Sequence, residues 1–196
     1  APDRTHGDGV MPEIETPALG NAEQTRTATA PGTLGALWGL AGVSLLLGGA
    51  ILRLAPVAFE AFDLPWGLHH GIALFAIVVA MAYAEGYHGF QRRFSPRVAA
   101  RARHLRSDAR TVRVLFAPLF CMGFFHATRR RRISAFCLTG GIVLLVLAVR
   151  LLAQPWRGIV DAGVVVGLAW GLASVLIFGT RALTAAEFPY SPEMAE

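Results

Sequence analysis

Histidine, cysteine and carboxylate side chains are the groups in this sequence whose types and positions could do chemistry. His69 and His70 stand side by side at the start of an apolar segment. A histidine inside a helix bundle is a common axial ligand for haem, and the same geometry suits a chlorophyll-type pigment. His70 is therefore the candidate haem or pigment ligand. The other long apolar segments contain no histidine that could complete a bis-histidine site, which favours interfacial hydrogen bonding instead.

Four further groups surround the arginine-rich middle of the chain: His88, His104, Cys121 and His126. They could converge on a metal ion, but their spacing matches no known ligand pattern. Cys121 and His126 could act as nucleophile and base, although no third group stands out to orient the base. Neither cysteine has a C-x-x-C partner, so free thiols are expected. We predict no metal site and no catalytic residue, and we expect that the protein is not an enzyme.

Glu85 and Asp161 are the carboxylates nearest to the apolar interior. An ionisable group within a membrane span suggests a proton or ion path. Both lie at the ends of apolar segments, and we expect Glu85 to pair with Arg92 or Arg93. Because neither carboxylate lies at mid-membrane, a small transporter or channel is an alternative hypothesis rather than the leading one. A pigment- or haem-binding membrane protein is another alternative.

The elements that must position these groups follow from composition. The 196 residues are 54% hydrophobic and 16% charged, which is too apolar for an ordinary soluble domain. A spanning helix needs about 20 apolar residues to cross roughly 30 Å of hydrocarbon. Residues 33–54, 67–85, 133–152 and 159–180 meet that requirement. The predicted fold class is all-α, an integral membrane bundle of four transmembrane helices.

Positive charge sets the predicted orientation. Cytoplasmic loops carry an excess of basic residues, and residues 87–132, between the second and third spans, are rich in arginine. We therefore place this connection and both termini in the cytoplasm of a bacterial inner membrane, with a polar tail over residues 1–32 and an acidic tail over 182–196. The arginines of the connection are Arg92, Arg93, Arg97, Arg101, Arg103, Arg106, Arg110, Arg113, Arg129, Arg130, Arg131 and Arg132.

Residues 111–128 form a shorter apolar stretch inside this connection. If it crossed the membrane, the arginines on its two sides would lie on opposite faces, so we predict an interfacial or partly re-entrant segment broken at Pro118 and Gly123. A fifth span is the alternative. Before it, Ser95 and Pro96 resemble a helix start, an N-cap followed by proline. The helix after them is predicted to lie along the membrane surface.

Charge and glycine spacing indicate the partners. Arginines near an anionic membrane surface contribute about 1 kcal/mol each, so ordinary topology-setting charge, bound anionic phospholipid and an acidic partner subunit are the candidate roles. No nucleic-acid-binding motif surrounds them. Gly35, Gly39 and Gly42 in the first span, and then Gly163, Gly167 and Gly171 in the fourth, recur at helical spacing that permits close helix packing.

The leading functional hypothesis from the sequence is a non-catalytic accessory or assembly subunit of a larger bacterial membrane complex. A photosynthetic or respiratory complex is the expected host. We expect the chain to dock on other membrane subunits through its spans and through the arginine-rich connection.

Overall fold

The computed structural model describes residues 30–107, 111–124, 129–185 and 187–191, and for positions 111, 129–132, 134–139 and 142 it describes the backbone alone. The residues described form helices and connecting turns, without a strand. Most of the polar tail predicted over residues 1–32, and the end of the acidic tail, lie outside the described residues. In chain order the helices are α1 (Ala30–Glu60), α2 (Leu68–Met81), a π-helical segment (Ala82–Phe94), α3 (Ser95–Ser107), α4 (Thr111–Leu115), α5 (Ala117–Met122), α6 (Arg129–Arg150) and α7 (Trp156–Thr184).

Three helices in the described residues are long and apolar enough to cross a membrane: Ala30–Asp63, Leu68–Ser107 and Trp156–Thr184. The protein is therefore all-helical in the part described and compatible with a multi-pass membrane protein. Almost none of the second helix's apolar window is covered by the rest of the chain. A helix that exposes apolar side chains in this way needs an apolar surrounding rather than water.

α7 is the central helix of the bundle. Gly158, near its start, lies against Ala61 just after α1, whereas Gly179, near its end, lies against Leu40 of α1. α1 and α7 therefore run antiparallel. The end of α1 and the starts of α2 and α7 meet at one end of the bundle, which we call the far end. The start of α1 and the ends of α3 and α7 meet at the other, the arginine-bearing end.

The predicted glycine face of α7 receives the second long helix. A Cβ atom added at Gly163 would lie 2.6 Å from Ile77 Cγ2, and one added at Gly171 would lie 2.5 Å from Phe90 Cγ. Gly167 lies between them, against Glu85. These contacts advance together along both helices, so α7 and the second long helix run parallel. Only glycine permits this approach, because a methyl group would overlap the neighbouring side chain.

The predicted helix start at Ser95 is wrong. The helix from Leu68 continues to Ser107 as one unit of 40 residues, and the Ser95 backbone N–H donates to the Phe90 carbonyl, five residues back. Residues 82–94 are wound with this wider π-helical repeat, which carries the chain through Pro96 without a break. α1 likewise runs beyond residue 54, where the first predicted span ends, and Pro56 lies inside the helix.

The surface position predicted for the helix after Ser95 is also wrong. α3 packs against both α1 and α7, and eight of its 13 residues are buried. Its alanines explain the difference, because small side chains at Ala99, Ala100 and Ala102 let α3 fit between two neighbours. The arginines that favoured a surface helix project from the remaining face or, at Arg101, inward.

α6 stands apart from the other helices. It spans 22 residues, and its main contact with another described element is with α7, at a few positions. Five consecutive side chains, from Val143 to Leu147, are each at least 45% exposed. Because five successive residues point in every direction around a helix, α6 has no covered face over this stretch.

Candidate functional site at the arginine-bearing end

The largest buried cluster lies at the arginine-bearing end rather than in the middle of the bundle. It joins residues from α1, α3, α5 and α7, and its largest fully buried side chains are Phe120, Leu105, Val43, Val98 and Val175. The sequence did not predict this core, because the segments that form it alternate with arginines. This end is therefore a packed structural unit.

Arg101 is the charged group at the centre of this unit. Its side chain is only 4% exposed, and its Nη1 donates to the Phe120 carbonyl oxygen at 3.0 Å. The same guanidinium lies 5.5 Å from the centre of the Phe120 ring, and that of Arg113 lies 5.8 Å from it. A buried cation is costly unless it is hydrogen-bonded, and an aromatic face adds a favourable cation–π contact. Phe120 therefore holds two of the arginines that were expected to face a membrane or partner.

Arg103 and Arg106 bind the end of α7. Nη1 of Arg103 donates to the carbonyl oxygens of Ala182, at 3.2 Å, and of Ala185, at 2.7 Å. Nη1 of Arg106 donates to the Leu183 carbonyl oxygen at 2.7 Å. The last carbonyls of a helix lack intrahelical donors and carry partial negative charge. These two arginines therefore cap α7 and fix α3 to it.

The arginines turned outward are fewer than the sequence predicted. Arg92 and Arg93 are exposed, and the Arg92 guanidinium lies 5.9 Å from the centre of the Tyr87 ring. Arg97 donates from Nε to the Arg93 carbonyl, within its own helix. Arg110 lies outside the described residues, as do the side chains of Arg129–132. Among the described arginines of the connection, Arg92 and Arg93 form the outward pair.

α4 and α5 occupy the predicted glycine face of α1. A Cβ added at Gly39 would lie 2.7 Å from Cys121 Sγ, and one added at Gly42 would lie 2.7 Å from Pro118 Cβ. α5 ends at Gly123, whose φ of 90° is in the left-handed region that glycine adopts readily. The helix break predicted at Gly123 is therefore confirmed, whereas the one predicted at Pro118 is wrong, because Pro118 lies in the first turn of α5 and the chain breaks at Phe116. Glycine spacing predicted a close neighbour for α1, but not which segment supplies it.

Cys121 is enclosed by this packing. Its side chain is 2% exposed, and burial raises the pKa of its thiol to about 12, an effect that the charge of Arg101 partly opposes. At neutral pH the group is a protonated thiol, the unreactive form. His126, its proposed catalytic partner, lies outside the described residues. Within the described part of the chain, no three His, Cys, Asp or Glu side chains come close enough to hold a metal ion.

His70 lies in an aromatic cluster at the far end. Its Nδ1 accepts the Gly67 backbone N–H at 3.1 Å, which leaves the proton of the neutral ring on Nε2. A metal-binding histidine normally donates the N–H of its other ring nitrogen, so His70 in this arrangement offers a donor rather than a lone pair. Its ring lies 6.0 Å from that of Trp66 and 5.2 Å from that of Trp156. Such amphipathic rings suit a membrane interface.

The two interior carboxylates lie apart. Asp161 is 5% exposed and lies 3.7 Å from Nε of Arg157, one turn earlier in α7. Glu85 is exposed and packs through Cβ against Gly167. Within the described segments Glu85 forms no ion pair with Arg92 or Arg93, so the pairing predicted there is wrong. The reason is geometric: Glu85 packs on Gly167 of α7 near the start of the π-helical segment, whereas Arg92 and Arg93 lie at its end.

Comparison with known proteins adds no further constraint, since no family model, curated protein or solved structure matches the chain. Over the described residues, the fold and the site together define an all-helical protein with three apolar helices able to span a membrane and a packed, arginine-bearing end.

Proposed function

We propose that the protein is a non-catalytic accessory or assembly subunit of a larger bacterial membrane complex. The observation that carries this proposal is the isolation of α6. A helix whose side chains from Val143 to Leu147 are all exposed gains almost no packing energy from its own chain. In a membrane, helices associate through close packing rather than through the hydrophobic effect, so a lone apolar helix is well suited to a neighbouring subunit.

We further propose that α6 is a fourth span. Its first residue, Arg129, follows Gly123 by six positions, and Gly123 lies at the arginine-bearing end, beside Arg101. Its last residue, Arg150, precedes Trp156 by six positions, and Trp156 begins α7 at the far end. A 22-residue α-helix is about 33 Å long, enough to join the two ends across the hydrocarbon core. Both termini would then share the cytoplasmic side with the arginines.

Two classes of partner follow from this arrangement. Arg92 and Arg93 point outward just beyond the apolar part of α2, where they can bind the phosphates of anionic phospholipids or the carboxylates of a partner subunit. A Cβ atom added at Gly140 or Gly141 of α6 would meet no atom of the described residues within 4 Å, so another helix could approach closely there. A photosynthetic or respiratory complex is the proposed host.

Purification from the native membrane tests this function. We expect the full chain to bring defined companion subunits with it, and the absorption spectrum of that complex would show whether a pigment or haem accompanies it. Arg92→Gln combined with Arg93→Gln should reduce the yield of companions, whereas Arg53→Gln, an exposed arginine toward the far end, should not. A protein that is purified without companions in every mild detergent would contradict the proposal.

A further inference from the structure

An exposed apolar surface joins α1 to the two short helices at the arginine-bearing end. Leu34 and Trp38 near the start of α1, and Leu115, Phe116 and Leu119 in and between the two short helices, are each at least 37% exposed. The Trp38 indole N–H donates to the Leu115 carbonyl oxygen at 3.4 Å, which ties the two parts together. We call these five residues the wedge surface. We propose that the wedge surface lies in lipid at the boundary between headgroups and hydrocarbon, in the leaflet on the arginine-bearing side.

Continuity with the spanning surface of α1 supports lipid as the occupant. Leu45, Leu46 and Leu52 are also exposed, at 69%, 56% and 77%, and they lie on the apolar helix that must face lipid if α1 crosses a membrane. Leu34 and Trp38 extend this surface toward the arginine-bearing end without an intervening charged residue. Lipid that contacts the middle of α1 therefore meets the wedge surface as it continues toward the headgroups.

The hydrogen bonds of the break between α4 and α5 suit an environment without water. Hydrocarbon tolerates a non-helical turn only where the backbone polar groups find partners inside the protein. The Phe116 N–H donates to Val112 at 3.1 Å, and the Phe116 carbonyl accepts from Phe120 at 2.9 Å. Trp38 satisfies the Leu115 carbonyl, and Pro118, in the first turn of α5, has no N–H to satisfy.

The arginines nearest to the wedge surface are turned away from it. The guanidinium groups of Arg101 and Arg113 both lie over the ring of Phe120, on the protein side of α5. Exposed charge would oppose entry into hydrocarbon. The outward side of the wedge surface thus consists of leucine, phenylalanine and tryptophan side chains, with the Trp38 ring suited to the interface itself.

The depth of the segment fits a shallow insertion. Pro118 lies against Gly42, twelve residues beyond Ala30, the start of α1. At 1.5 Å per residue this is about 18 Å along the helix. α4 and α5 therefore cover only the first part of α1 and then turn back, as a segment seated in one leaflet would.

Depth-resolved fluorescence quenching tests the proposal, which rests on the proposed function only for its membrane setting. Phe116→Cys is introduced into a Cys137→Ser chain, labelled with a small environment-sensitive fluorophore and reconstituted in phosphatidylcholine and phosphatidylglycerol vesicles. Leu115→Cys serves as the second variant. The controls are Leu46→Cys on the middle of α1 and the exposed Glu187→Cys after α7.

We expect lipids brominated on the acyl chain to quench the label at position 116, though less strongly than at position 46, and aqueous iodide to quench it far less than at position 187. Strong iodide quenching without bromolipid quenching at 115 and 116 would overturn the proposal. So would protection from both quenchers, because a label that contacts neither water nor lipid is covered by protein, such as a second copy of the chain. If position 46 also escaped bromolipid, the membrane setting itself would be wrong.

Discussion

At the scale of single residues, arginine serves mainly as an internal connector. Arg101, Arg103 and Arg106 each donate to backbone carbonyls at the ends of other helices. Arginine suits this use because its planar guanidinium presents several donors at once and stays charged at any physiological pH. The arginines at this end therefore stabilise the fold.

Removing the α7 cap should destabilise the protein. For Arg103→Ala or Arg106→Ala we expect a loss of about 1 kcal/mol each, because a partly exposed hydrogen bond to a helix end is lost in each case. Thermal unfolding in one detergent, followed by circular dichroism, measures the change. Arg93→Ala is the matched control, since Arg93 is exposed and its side chain donates no hydrogen bond to the described part of α7. Equal melting temperatures for all three variants would contradict the capping role.

Cys121 should resist alkylation while the protein is folded. In a Cys137→Ser background we expect N-ethylmaleimide to leave Cys121 unlabelled from pH 7 to pH 9, because burial keeps the pKa of this thiol near 12. The unfolded thiol, with an ordinary pKa of 9.0, should react fully in denaturant. Raising the pH above 9.0 therefore favours unfolding, because only the unfolded thiol ionises there. Rapid labelling of the folded chain would disprove the enclosed position.

At the scale of elements, glycines divide into those covered by a neighbour and those left open. A Cβ at Gly171 would lie 2.5 Å from Phe90, whereas one at Gly48 would meet nothing within 4 Å. Both lie inside long helices, so alanine propensity favours both substitutions by about 1 kcal/mol. Steric overlap should reverse that gain only at the covered position.

Gly171→Ala and Gly48→Ala should therefore shift stability in opposite directions. We expect Gly171→Ala to lower the midpoint of thermal unfolding, because an overpacked interface costs about 1–3 kcal/mol. We expect Gly48→Ala to leave the midpoint unchanged or to raise it slightly. Differential scanning calorimetry of the two variants in the same detergent compares them directly. If Gly48→Ala lowered the midpoint and Gly171→Ala did not, the face of α7 that packs against the second long helix would have been assigned wrongly.

The sequence predicted the apolar helices well and their partners poorly. Hydropathy places the centres of α1, α2 and α7 because each helix is long and uniformly apolar. It could not show that the chain from Leu68 continues through Ser95, since Ser-Pro is a common helix start and only the packing of α3 between two helices overrides that preference. Likewise, arginine counts predicted a charged end, but not that Arg103 would cap a helix about 80 residues later in the sequence.

At the scale of the whole molecule, the bundle is built differently at its two ends. The arginine-bearing end contains the main buried core, which includes Val43 of α1 and Val175 of α7. The far end contains ring contacts among Phe62, Trp66, His70 and Trp156. A packed basic end and an aromatic far end are separated by apolar helices, and the orientation proposed for them places the basic end on the cytoplasmic side.

Cysteine accessibility tests the central claim, that the apolar helices cross the membrane with the arginines inside. Leu64→Cys and Ala153→Cys mark the far end, while Arg93→Cys and Glu187→Cys mark the arginine-bearing end, all in a chain without native cysteines. We predict that a membrane-impermeant maleimide labels only positions 64 and 153 in right-side-out vesicles, and only positions 93 and 187 in inverted ones. Labelling of positions 153 and 187 from the same side would contradict the account.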